Sequence, residues 1–73
     1  MAWTLYRHYK GNHYLRLGVA AHSEDLSPQV VYRCLYDNPE ARTWVRPQPM
    51  FEGAIEDGRT RFTPVGRLRL VQP

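Results

Sequence analysis

Scarcity says a good deal about this chain. Cys34 is its only cysteine among 73 residues, so no disulfide can form within it. The same count rules out a zinc site built on Cys-x-x-Cys pairs. His8, His13 and His22 are the only histidines, so a four-ligand site would need every one of them with Cys34, and surface or hydrogen-bonded histidines are the plainer reading. We therefore expect no metal and no cofactor. Lysine is also rare: nine of the ten basic residues are arginine. Arginine favours planar, bidentate and stacked contacts, whereas a non-specific phosphate binder would carry more lysine. No apolar run approaches the roughly 20 residues of a membrane-spanning helix. The opening Met1 to Leu5 is too short for the apolar region of a signal peptide and leads straight into Tyr6-Arg7-His8. These absences predict a soluble, cytoplasmic protein with no membrane partner. Phosphate loops, Rossmann fingerprints and nucleophile elbows are missing as well, and we expect no enzyme.

What is present is an interleaving of aromatic and basic side chains. It occurs in Tyr6-Arg7-His8-Tyr9-Lys10, Tyr14-Leu15-Arg16, Tyr32-Arg33-Cys34-Leu35-Tyr36 and Trp44-Val45-Arg46. Such alternation suits short strands with one face buried. Residues 5–9 and 13–21 read as two strands joined at Gly11-Asn12, a two-residue hairpin signal. On the second strand, parity puts Leu15, Leu17, Val19 and Ala21 on one face. Gly18 marks a bend or bulge. Residues 29–36 form the clearest strand, with Val30, Tyr32, Cys34 and Tyr36 sharing a face. Residues 43–46 make a short fourth strand, closed by Pro47 and Pro49. Residues 53–56 read as a weak fifth, and Asp57-Gly58 turns the chain into residues 60–65. No window of useful length shows helical period.

Five or six short strands in so few residues predict an all-β, SH3-like barrel with short turns and at most one helical turn. Closure would remove exposed edges, and the turn at Pro49, Met50 and Phe51 suits that architecture. The chain is one domain, 1–73, with its core over 5–65. Residues 66–73 are an edge strand or a flexible tail. A domain this small often gains core by self-association, so a homodimer or protein partner is one expectation.

The ordered blocks Tyr6 to Asn12, Leu17 to Ala20, Val30 to Arg33 with Leu35-Tyr36, and Trp44 to Pro47 with Met50-Phe51 carry a resemblance. Over roughly residues 5–65 the chain resembles the bacterial domain of unknown function family 1653 (DUF1653). The resemblance implies a compact bacterial β-domain and assigns it no activity.

The residues themselves offer one candidate site. If Val45 points inward, Trp44 and Arg46 point outward beside Arg33, with Arg16 and His8 at the border. Arg33 on the Trp44 indole would be a cation–π pair worth about 0.5–1 kcal/mol when exposed. Two guanidinium groups beside an indole suit a phosphate, a carboxylate or a stacked base. The plainer reading is structural: both arginines pair with Glu52 or Glu56 and Trp44 packs on Phe51. The net charge of +3 and pI of about 9.4 favour an anionic ligand or nucleic acid as partner. Cys34, mid-strand between Arg33 and Leu35, reads as a small buried hydrophobe rather than a nucleophile.

Overall fold

A glycine turn and two alternating strands open the fold. In the computed structural model, which describes residues 2–69, strand β1 (Ala2–His8) returns as β2 (His13–Ala21). Gly11 sits between them at φ 105°, a conformation that costs a residue without a Cβ little. The His8 N–H donates to the Asn12 carbonyl at 2.8 Å, and the Gly11 N–H donates to the His8 carbonyl at 2.8 Å. β2 pairs with β3 (Pro28–Cys34), and β3 with β4 (Thr43–Pro47). The chain then makes one short helix, α1 (Gln48–Glu52), and ends in β5 (Phe62–Arg69), which pairs with β1. All neighbours are antiparallel and the order is β4-β3-β2-β1-β5.

The fold is therefore all-β with one helical turn, but the expected barrel closure is absent. Among the described residues β4 and β5 form no ladder with each other and stand as the two edges of an open sheet. The expected fifth strand at 53–56 shrinks to a single bridge, Ala54 to Thr60. The Asp57-Gly58 turn is present, with Gly58 at φ 89°. It closes a small loop rather than a hairpin of full strands. Residues 66–69 belong to the edge strand β5, whereas 70–73 of the expected tail lie outside the described residues.

One face of the sheet holds the core. Val30, Tyr32, Phe51 and Phe62 form its buried centre, with Tyr6, Tyr14 and Trp44 packed around them. α1 exists to deliver Phe51. Proline at its start fits the first turn, where no N–H partner is needed, and Phe51 falls on the inward side. There it is 1% exposed and stacks on Phe62 with ring centroids 4.1 Å apart and planes 9° apart. Gly53 ends the helix at a close approach: a Cβ there would lie 2.7 Å from the Pro49 carbonyl oxygen.

Candidate functional site

Register decides which side chains meet. Val30 opposes Arg46 and Tyr32 opposes Trp44 across β3 and β4, so all four project from the core face. Val45 opposes Val31 on the other face and is 61% exposed. This reverses the parity expected for β4. The physical reason lies in the neighbouring strand: β3 buries Val30, Tyr32 and Cys34, and antiparallel pairing binds β4 to that choice. β2 shows a related correction. Register shifts between Arg16 and Gly18, so Leu17 is bulged out and Val19 joins the face of Tyr14 and Arg16.

Above the core face, Tyr14, Tyr32, Tyr36, Asn38, Trp44 and Arg46 line a shallow concavity of about 170 Å³. Its floor is tied by hydrogen bonds. The Tyr14 and Tyr36 hydroxyls lie 2.8 Å apart. Asn38 Nδ2 donates to Tyr36 Oη at 3.4 Å and to Cys34 Sγ at 3.8 Å. Trp44 Nε1 donates to the Ala41 carbonyl at 3.2 Å, which ties the indole to the turn before β4. Arg46 Nε donates to Tyr32 Oη at 3.4 Å, and its guanidinium carbon stands 5.7 Å from the Phe62 ring centroid. No carboxylate of the described residues forms an ion pair with Arg46.

The electrostatics follow from burial and from neighbouring cations. Burial, then the hydrogen bond with Tyr36, raises the Tyr14 phenol well above its ordinary value, so it stays protonated and polar. His8 sits beside this cluster, 4.9 Å from Phe62 and 6.1 Å from Tyr14 between ring centroids. Burial lowers its pKa below 6.5, and Arg46, Arg61 and Lys10 push in the same direction. His8 Nδ1 accepts the Lys10 backbone N–H at 3.2 Å, which leaves the proton of the neutral ring on Nε2. Arg61 Nε is buried with no hydrogen-bond partner.

The expected site residues thus divide. Trp44, Arg46, Arg16 and His8 share the core face, and Arg33 does not. Arg33 opposes Leu15 and Thr43 on the other face, so the expected Arg33–Trp44 stack is not formed. Arg16 is engaged: it donates to Glu52 at 3.4 Å and lies over Phe51 at 5.5 Å. The ion pairs of the structural reading are not formed, since neither Arg33 nor Arg46 pairs with Glu52 or Glu56 among the described residues, whereas Trp44 does pack on the core cluster that contains Phe51. Cys34 is buried as expected. The residues missed as lining are Tyr14, Tyr32, Tyr36 and Asn38. The shared parity of Tyr32 and Tyr36 was the signal that could have found half of them. His8, His13 and His22 do not converge, and no group of three or more metal-ligating side chains occurs among the described residues. No described helix is long and apolar enough to cross a membrane.

Comparison with known proteins agrees on kinship. Residues 4–64 match the model of DUF1653, described as a protein of unknown function. The chain is also similar to a solved structure, a crystal structure of a DUF1653 protein from Bordetella bronchiseptica. The two share 36% identity with a TM-score of 0.79, over 94% of this chain and 88% of that one. No curated protein matches the chain.

Proposed function

The chain belongs to the DUF1653 family, and we propose that it is a small binding module whose Trp44–Arg46 concavity takes a planar anionic group. The observation that carries this reading is Arg46. Its guanidinium is held at the lip of an aromatic cavity by the Tyr32 hydroxyl and over the Phe62 ring, without an ion-pairing carboxylate among the described residues. A charged donor kept in place and unneutralised is an anion site in the making. The volume limits the guest. Pockets for drug-sized ligands run about 300–1,000 Å³, so this one suits a single ring and its charge. An SH3-like kinship remains part of the proposal, since a helical turn precedes the last strand. So does a bacterial cytoplasmic setting, which the lone buried thiol suits.

The test is Trp44 fluorescence in a Trp3→Phe background, titrated with thymidine monophosphate. Saturable change is expected. Arg46→Gln should weaken binding roughly tenfold to a hundredfold, since hydrogen bonds to charged groups are worth about 1.5–3 kcal/mol. A flat titration contradicts the reading.

A second reading rests on the other face. Val45 and Leu35 are 61% and 47% exposed, and β4 is an unpaired edge. Both features suit a homodimer or a protein partner. Sedimentation at several concentrations tests it, and a strict monomer at all of them removes the homodimer.

A further inference from the structure

Beyond the concavity, a second cationic hollow lies at the β1–β2 turn. It has a volume of about 510 Å³ and is lined by Arg7, Tyr9, Lys10, Arg59, Thr60 and Thr63, with no carboxylate in its lining. Tyr9 carries cations on its ring: Lys10 Nζ at 5.8 Å and the Arg59 guanidinium carbon at 5.7 Å from the centroid. Asp57 already holds Arg59 at 2.6 Å, whereas no described carboxylate pairs with Arg7 or Lys10. The Thr60 and Thr63 hydroxyls sit 2.9 Å apart at its edge.

The two hollows lie on opposite faces at one end of the sheet, since Tyr14 opposes Tyr6 whereas Arg7 opposes His13 and Thr63, and tilted and edge-on ring contacts join them around the β1–β2 turn. His8 lies 4.5 Å from Tyr9 and 6.1 Å from Tyr14, centroid to centroid, and Tyr14 lines the first concavity. Arg61 shares a further cavity with Tyr9, and its buried Nε has no partner. Glu56 and Asp57 also line that cavity, with Asp57 engaged by Arg59. Aromatic rings and unpaired cations therefore alternate from one hollow to the other. That is the composition of a single-strand binding surface, in which bases stack and phosphates meet cations.

We infer that the band from Trp44 and Arg46 on the covered face, through Arg61 and Tyr9 around the β1–β2 end of the sheet, to Lys10 and Arg7 is a groove for single-stranded nucleic acid. Bases lie on the aromatic rings, and a phosphate occupies the hollow of Arg7 and Lys10. This rests on the proposed anion site and extends it from one ring to a strand. An acidic polypeptide would find the same cations but would leave the aromatic rings unused.

The experiment uses the full chain and a fluorescent single-stranded oligothymidylate, read by anisotropy over a salt series. Thymidine monophosphate and polyglutamate serve as comparison ligands. The oligomer should bind at least tenfold more tightly than the mononucleotide. Arg7 and Lys10 are both exposed, so the double variant Arg7→Gln with Lys10→Gln should fold. It should lower the slope of log affinity against log salt by about 0.7, the share of the one phosphate no longer neutralised, and leave mononucleotide binding unchanged. An unchanged slope overturns the inference, as does equal affinity for polyglutamate. A chain that binds the mononucleotide but gains nothing from the oligomer also overturns it and leaves the proposed function standing. A chain that binds neither ligand overturns both.

Discussion

The two faces of one five-stranded sheet have opposite characters. The covered face carries Tyr14, Tyr32, Trp44, Phe51 and Phe62 in contact with one another, and Arg16 and Arg46 stack on its phenyl rings. The open face carries Val31, Arg33 and Val45, with Leu15 and Gln29 buried among them. Both are built from the same strands by the same alternation. What separates them is the α1 turn, which brings Phe51 onto one side only. A small sheet without a second layer thus gets its core, and beside it a rigid aromatic surface, from a single five-residue helix. The cations near that surface are positioned by packing, whereas Arg33 forms no ion pair among the described residues.

The largest effect that tests this contrast is loss of the Phe51 ring. Phe51→Ala should cost about 3–5 kcal/mol, enough to unfold a domain of this size, whereas Val45→Ala on the open face should stay within about 0.5 kcal/mol. Denaturant melts of both variants measure the difference. Next comes the helix end. Gly53→Ala forces a methyl against the Pro49 carbonyl at 2.7 Å. It should cost about 1–3 kcal/mol, the usual range for overpacking. A melt indistinguishable from the parent would show that α1 is free to shift.

Smaller effects sharpen the comparison between the arginines. Arg16→Gln loses a partly exposed ion pair with Glu52 and a contact over Phe51, and about 1 kcal/mol or less is expected. Arg33→Gln should be silent to within about 0.5 kcal/mol. Equal losses at the two positions would erase the distinction between faces. The smallest effect is a pH slope. The folded pKa of His8 is depressed below 6.5, so the unfolded chain binds the extra proton. The neutral ring's contribution is complete above pH 6.5 and is lost as pH falls through the folded value. His8→Asn should therefore flatten the decline of stability below that pH, as followed by thermal melts on both sides of it. An unchanged slope would place the acid sensitivity elsewhere.

Much of the fold was readable from local chemistry. Gly11-Asn12 marks where the first hairpin turns, and the alternation in residues 29–36 marks which residues of β3 share a face. Gly18 correctly marked the bulge region. Three things were out of reach. Parity tells which residues share a face but not which face is covered, so Trp44 and Arg46 were placed on the wrong side relative to Arg33. A bulge at Leu17 shifts the phase of everything after it, and only the partner strand reveals the shift. Barrel closure depends on whether β4 can reach β5. That is a matter of sheet twist and of the 53–61 loop, neither of which leaves a periodic mark. The site was legible in type, as arginine beside an indole, and not in membership, because Tyr14, Tyr36 and Asn38 join it from other strands and turns.

Trp3 and Trp44 lie on opposite faces, which makes the central claim directly measurable. The two indole N–H resonances of the uniformly nitrogen-15-labelled chain should be followed while the oligothymidylate is added. The account predicts that the Trp44 signal moves and saturates while that of Trp3 stays in place. Movement of Trp3 with Trp44 unaffected would put the ligand on the open face and contradict it.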